Sequence, residues 1–315
     1  MVTHALPANP SLHSIAAGVW RVADPKITLA SVASMLVGAA AAAWQGPVAW
    51  GWLALTVLGI FFVEAAKNAS GEIFDWDSGA DEGVRDDERS PFSGGKRVIV
   101  DGLLTRTETA IVAAVFYAAA IAIGLAIVLS REPTVLWLGM IGIALAYFYH
   151  GPPFRLAYRG LGELAVALAY GPVIAAGTYL VQRGSIDATV LLASVPVALA
   201  IGAFLWVNEF PDARADAAAG KRTLVVRLGR PDASVVFGEI LAAAYLAVFM
   251  LPVFGLPMTV WLGLAGAPHA IAASRRLYAH PEDIRHIVPA QAWTLLSFVL
   301  MSVGLAAGFV IATLT

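Results

Sequence analysis

The 315-residue chain contains no cysteine, and only 13% of its residues are charged. The first absence excludes disulfides, zinc–thiolate sites and thiol nucleophiles, and leaves the redox compartment unreadable. The second excludes an ordinary soluble enzyme, in which about 25% of residues are charged. Positive charge is not in excess either. Twenty Lys and Arg stand against 22 Asp and Glu, a net charge of −2, which argues against a nucleic-acid partner. No metal-binding His spacing and no Ser-His-Asp arrangement can be read. Gly94-Gly95-Lys96 lacks the upstream glycine spacing of a phosphate-binding loop. The N-terminal stretch has neither a basic start nor an apolar run, so no cleaved signal peptide is expected.

Apolar residues make up 59% of the chain, and mean hydropathy is +0.76. They fall into nine segments: Ile27–Trp44, Val48–Ala66, Ala110–Leu129, Thr134–Tyr149, Leu161–Val181, Ala188–Val207, Val235–Val253, Pro257–Ala273 and Ala292–Thr313. Most are close to the roughly 20 residues that cross a bilayer as helix; barrel strands would be about 9–11 residues and alternate. The chain therefore reads as an all-α membrane protein with nine transmembrane helices. The whole of 1–315 reads as a single polytopic domain. With the N-terminus inside the cell, eighteen of the 20 Lys and Arg fall on the cytoplasmic side, and only Arg131 and Arg183 lie outside. That bias predicts a multi-pass inner-membrane protein with N-terminus cytoplasmic and C-terminus external.

Two inner loops are long and hold most of the acids. The second span runs into a stretch, 68–81, in which Asn68, Glu72 and Asp75 share one helical face, with Asp81 just past Gly79. The sixth runs into a stretch, 208–224, in which Asn208, Asp212 and Asp216 share one face, with Pro211 placed where a helix kinks or restarts. Four spans separate the two, which reads as an internal duplication whose halves face each other. Carboxylates stacked on one face repel unless a cation sits among them. Hard oxygens on two facing helices suit Mg²⁺, which takes one or two carboxylates and completes its shell with water and substrate phosphate. Lys96, Arg97, Lys221 and Arg222 are placed to neutralise the remaining oxygens of a diphosphate. Asp86, Asp87 and Glu88 lack helical spacing and read as a solvated loop. Glu64 lies inside the second span, either behind the acids or lining a cavity. His150, alone among aromatics, reads as structural.

These stretches resemble the UbiA superfamily of intramembrane aromatic prenyltransferases. The second motif carries the likeness best: Asn208-Glu209-x-x-Asp212-x-x-x-Asp216-x-x-x-Gly220-Lys221-Arg222-Thr223-Leu224, followed by Val226-Arg227-Leu228-Gly229. With Asp75-x-x-x-Gly79-x-Asp81, Lys96-Arg97-x-x-x-x-Gly102-Leu103-Leu104-Thr105 and Pro152-Pro153-Phe154-Arg155-x-x-Tyr158-Arg159-Gly160-Leu161-Gly162-Glu163, it is similar to the 1,4-dihydroxy-2-naphthoate prenyltransferase branch. The chain departs from the family at Gly71-Glu72, where Asn-Asp is usual. Asn68 and Glu72 together are expected to replace that pair. Glu209 likewise stands where Asn is common.

The resemblance implies a nine-helix UbiA-type bundle with cytoplasmic cap loops. It also implies Mg²⁺-dependent transfer of a polyprenyl group from its diphosphate to an aromatic acceptor. Asp75, Asp212 and Asp216 would be the catalytic carboxylates, and Asn68, Glu72, Asp81 and Asn208 would join them around the metal. Arg155, Tyr158 and Lys26 are the candidates for binding the acceptor. The partners implied are polyprenyl diphosphate, the aromatic acceptor and the lipid bilayer. The alternatives are a related enzyme acting on 4-hydroxybenzoate or another quinone or lipid precursor, and, in a different class, a membrane transporter.

Overall fold

Chains this apolar can satisfy their backbone N–H and C=O groups within lipid only as helix or closed barrel, and Ala- and Leu-rich runs favour helix. The computed structural model describes residues 12–24 and 28–314. Among them all regular structure is helical: α1 (Leu12–Ala23), α2 (Thr28–Gln45), α3 (Trp50–Ser78), α4 (Arg106–Ser130), α5 (Val135–Phe148), α6 (Gly162–Leu168), α7 (Ile174–Arg183), α8 (Ala188–Ala218), α9 (Leu224–Leu228), α10 (Arg230–Met250), α11 (Ala267–Ala279) and α12 (Ile284–Ala312). Ile27, the expected start of the first span, and Lys26 lie outside the described residues.

Seven segments of the described chain are long and apolar enough to cross a membrane. The sequence suggested nine. One of the other two, α5, is a shorter apolar helix of 14 residues. In the other, Met258–Gly266 winds as a tight 3₁₀ helix and α-helical winding resumes only at α11. Pro268, in the first turn of α11, has no N–H to continue a preceding helix and suits a helix start. Gly304 and Gly308 of α12 receive this tight segment: a methyl on either would overlap the Leu262 or Thr259 carbonyl. A single π-helical turn, Ala169–Val173, joins α6 to α7. Pro172 within it cannot donate the usual helical bond, which makes a wider turn the natural local solution.

α3 and α8, with 29 and 31 residues, outrun the roughly 20 needed to span. Their C-terminal turns therefore project beyond the apolar zone, and these turns carry the acids. Gly79 ends α3 in the left-handed conformation (φ 78°), which a glycine adopts without strain. α8 continues as one helix through Pro211, and Arg230 donates to the adjacent Phe210 carbonyl at 2.8 Å. The main core lies between α2, α7, α8, α10 and α12, around Val37, Tyr179, Val197, Phe237, Phe298 and Leu305. Outward faces leave Leu129, Leu246 and Val253 exposed, as expected of lipid-facing helices in an integral membrane protein.

Candidate active site

The ends of α3 and α8 converge on a cavity of about 750 Å³. Asn68, Glu72 and Asp75 of α3 line it together with Asn208, Glu209, Asp212 and Asp216 of α8, and Lys96 and Lys221 come from the loops. Lys221 ties the two helices. Its ammonium lies 3.5 Å from Asp216 Oδ1 and 3.9 Å from Asp75 Oδ2. Burial alone would lower its pKa, but Asp216 and Asp75 outweigh burial and hold it well above the ordinary lysine range. It stays charged.

Asp75 is held on three sides. Tyr158 donates to Oδ1 at 2.8 Å, and His150 Nε2 stands 3.4 Å from Oδ2 beside Lys221. Burial and the Asp75 charge push the Tyr158 phenol up to about 12, so it remains a donor. His150, read from sequence as structural, is thus part of the site wall. Its position accounts for Gly71: a Cβ there would stand 2.8 Å from two atoms of the His150 ring. The imidazole fills the space that a side chain at position 71 would need. Burial lowers the His150 pKa, with Asp75 pulling the other way.

A strap over the cavity is built from Gly94 to Val98. Gly94 and Gly95 both have positive φ, 87° and 71°, a conformation in which glycine is unstrained. The turn lets Gly94 N–H donate to Asp212 Oδ2 at 3.0 Å. It also brings Gly95 so close to the Asp81 carboxyl that a Cβ would overlap it. Glu72 completes the strap, accepting from the backbone N–H of Lys96 and, at 2.9 Å, of Val98.

Glu72 and Asn68, both expected around a metal, also hold backbone. Both Glu72 oxygens take backbone donors, and the Asn68 amide donates to the Val22 carbonyl of α1 at 3.0 Å. Glu72 thus anchors the strap and Asn68 anchors α1, while both still line the cavity. A buried carboxylate needs donors, and the strap supplies two. Asp81 lies behind the strap, outside the cavity wall; burial, with the charges of Glu72 and Asp75, raises its pKa well above the usual range. Arg97 donates to the Asp81 carbonyl and faces Asp101 at 3.5 Å, also outside the wall. Arg155 stacks 4.0 Å from the Tyr158 ring centroid, and Arg222 N–H donates to the Tyr158 carbonyl at 3.1 Å. Arg155 and Arg222 therefore support Tyr158 and do not line the cavity. Lys96 lines it and pairs with Asp24.

Among the described residues no three His, Asp or Glu side chains form a ready-made metal cage. The oxygens nevertheless suit a hard cation that brings its own waters and phosphate. Asn208 Oδ1 and Asp212 Oδ1 are buried with no hydrogen-bond partner, and unpartnered buried oxygens at one cavity wall mark a missing cation or donor.

A second cavity, of about 650 Å³, opens between α3, α4, α5, α6 and α7. Its lining is almost wholly apolar, from Thr56 and Val135 at one end to Tyr149 and Lys67 at the other. Lys67, Tyr149, Val166 and Tyr170 line both cavities and so stand at the boundary between them.

Comparison with known proteins bears on the fold and the family. Residues 31–296 match the model of the UbiA prenyltransferase family. The chain is 28% identical over 299 residues to a 2-carboxy-1,4-naphthoquinone phytyltransferase of Synechocystis, covering 90% of this chain and 91% of the relative. It is 31% identical to a 1,4-dihydroxy-2-naphthoate octaprenyltransferase of Mycobacterium tuberculosis, covering 80% and 83%. Among solved structures, the apo UbiA homolog from Aeropyrum pernix has a TM-score of 0.65 at 19% identity, covering 90% of this chain and 97% of that one. A UbiA homolog from Archaeoglobus fulgidus bound to GPP and Mg²⁺ has 0.62 at 15%, covering 90% and 99%. The chain is a membrane prenyltransferase and belongs to the UbiA family.

Proposed function

We propose that this prenyltransferase moves a polyprenyl group from its diphosphate to 1,4-dihydroxy-2-naphthoate, with Mg²⁺ as cofactor. The observation that carries this reading is that two unlike cavities adjoin across one shared boundary. One is walled by acids and three lysines, the other is almost wholly apolar, and a prenyl diphosphate has both characters in one molecule. The names of the relatives support the naphthoate acceptor, and the orphaned oxygens of Asn208 and Asp212 support the metal.

In this reading Asn208, Asp212, Asp216 and Asp75 hold the cation. Bound there, Mg²⁺ would neutralise the diphosphate and ease its departure. Lys221 and Lys96 face the leaving oxygens as the allylic C–O bond breaks and its electron pair passes to the diphosphate. Tyr158 and His150 keep Asp75 oriented. The strap, held by Glu72 and Asp212, excludes water that would capture the allylic cation. The ring carbon bearing the carboxylate bonds to the prenyl C1, and CO₂ leaves with its bonding pair restored to the ring.

The two acidic stretches act as halves of a duplicated motif within one catalytic unit. The lysine and arginine bias supports nine crossings, with a cytoplasmic N-terminus, an external C-terminus and the acid-walled cavity on the cytoplasmic side. The test is purified protein assayed with Mg²⁺, a polyprenyl diphosphate and a panel of acceptors. Prenylation of dihydroxynaphthoate with CO₂ release supports the reading. Turnover only with 4-hydroxybenzoate would replace the acceptor, and no transfer to any acceptor would refute it.

A further inference from the structure

Three arginines crowd together where the loop joining α5 to α6 meets the loop joining α8 to α10. Arg227 donates through Nη2 to the Arg159 carbonyl at 2.7 Å and through Nε to the Arg222 carbonyl at 3.1 Å. Arg222 N–H donates in turn to the carbonyl of Tyr158, next to Arg159. Gly160, in the left-handed conformation (φ 68°), lets the loops come this close. A Cβ there would stand 3.0 Å from Arg227 Nε and 3.1 Å from the Arg222 carbonyl oxygen.

Among the described residues none of the three forms an ion pair. Elsewhere on the same side of the molecule Arg106, Arg214 and Arg230 face Asp77, Glu88 and Glu282 at 2.7, 2.6 and 2.8 Å. The acids nearest in sequence do not compensate the cluster. Glu163 is buried and accepts from the Leu224 N–H at 2.6 Å, and Asp232 opens α10 without pairing to any of the three. All three arginines are exposed. Most of their N–H donors are unspent. Arg227 uses Nε and Nη2, Arg159 donates to the Pro153 carbonyl at 3.2 Å, and the Arg222 side chain donates to no protein group.

Apolar side chains stand among these cations. Phe154, Leu161 and Leu228 are 52%, 45% and 43% exposed. The loops turn straight back into apolar helix, α6 beginning at Gly162 and α10 at Arg230, so the patch sits where hydrocarbon meets water. In the orientation proposed above it faces the cytoplasmic leaflet. Uncompensated arginines beside outward-facing Leu and Phe suit a surface that lies on lipid: the cations meet headgroups, and the apolar groups enter the acyl boundary.

We infer that Arg159, Arg222 and Arg227 form a docking surface for the phosphate of an anionic phospholipid. A guanidinium fork bonds two phosphate oxygens at once, which an ammonium does not. Phe154, Leu161 and Leu228 rest against the acyl chains of the same lipid. Inorganic phosphate shares the anion but offers nothing to the apolar residues, and an acidic peptide would have to bind at the level of the bilayer surface. The site is separate from the acid-walled cavity and does not depend on which acceptor is prenylated.

The test uses the full chain in detergent and two labelled lipids with the same acyl chains, phosphatidylglycerol and phosphatidylcholine. Each arginine close to an anionic headgroup is worth about fivefold in affinity. The wild type should therefore favour phosphatidylglycerol by about ten- to a hundredfold. Arg159→Gln combined with Arg222→Gln should bring that ratio to about fivefold or less, and Arg159→Lys combined with Arg222→Lys should keep most of it. Arg285→Gln, an exposed arginine paired with Asp283, should leave it unchanged. Leu228→Ser should weaken both lipids alike. Inorganic phosphate and polyglutamate should displace the lipid only at concentrations about a hundredfold above its own. Equal binding of the two lipids overturns the assignment, as does a preference that survives the paired glutamine substitutions. Displacement by inorganic phosphate at the lipid's own concentration would make this a site for free anions, and displacement by polyglutamate a surface for an acidic protein; either result also overturns it.

Discussion

Gly71 and His150 are packed so tightly that each constrains the other. A Cβ at position 71 would lie 2.8 Å from His150 Cε1 and Nδ1. The ring has little room to retreat, because its far nitrogen faces Asp75 and its neighbour Tyr149 packs edge-on at a 4.6 Å centroid distance. Gly71→Ala therefore forces the imidazole off Asp75. Overpacking costs about 1–3 kcal/mol, and the better helix propensity of alanine returns up to about 1 kcal/mol, for a net loss on the order of 1–2 kcal/mol. Turnover should fall about tenfold as Asp75 loses its partner. His150→Ala empties the space, so adding Gly71→Ala to it should cost nothing further. A double-mutant cycle, read by turnover and by thermal unfolding, should give a coupling of about 1–2 kcal/mol. Effects that add within about 0.5 kcal/mol would refute the packing argument.

Three further outcomes are expected. Glu72→Gln exchanges one acceptor oxygen for a donor facing a backbone N–H, so the strap should loosen. Trypsin should then cut faster at Lys96 and Arg97, while the Mg²⁺ concentration for half-maximal turnover stays within about twofold; a large rise in that requirement would return Glu72 to the metal. Lys221→Met leaves Asp75 and Asp216 without their shared cation, so turnover should drop on the order of a hundredfold, and near-normal activity would contradict its role. Hydrogen bonds from Arg214 hold Glu88 below the usual carboxylate range. That pair should add stability above the unfolded pKa of about 4.3 and lose it as pH falls through the lower folded value. Because the pair is partly exposed, Glu88→Gln should lower the unfolding temperature by only about 1–3 °C at pH 7, and by nothing measurable near pH 3.

Much of the architecture was legible because lipid makes strong demands. Apolar runs announce helices, and the extension of α3 and α8 past the bilayer follows from acids that keep helical spacing at Asn68, Glu72 and Asp75 and at Asn208, Asp212 and Asp216. Short-range chemistry set by tertiary contact was not legible. Nothing in the spacing of His150 shows that it meets Asp75; the signal was indirect, a glycine at position 71 where the family usually has Asn. Gly94-Gly95 was dismissed as an incomplete phosphate loop, yet its two positive-φ residues carry the strap to Asp212 and Asp81. Helical phase puts Glu72 beside Asp75, but phase cannot reveal that a distant backbone will donate to both of its oxygens. The tight winding at Met258–Gly266 was hidden for a similar reason: apolar composition marks a buried segment without saying which helix it forms.

The most direct measurement is transfer by Asp212→Ala. Asp212 joins the strap to α8 through one oxygen and turns the other, unpartnered, toward the cavity, so its removal strikes both water exclusion and the proposed cation site. Single-turnover assays with Mg²⁺, a labelled polyprenyl diphosphate and dihydroxynaphthoate should show prenylated product in the wild type and a loss on the order of a hundredfold or more in the variant. Near-wild-type transfer by Asp212→Ala would mean that the facing helix ends of α3 and α8 are not where the diphosphate leaves.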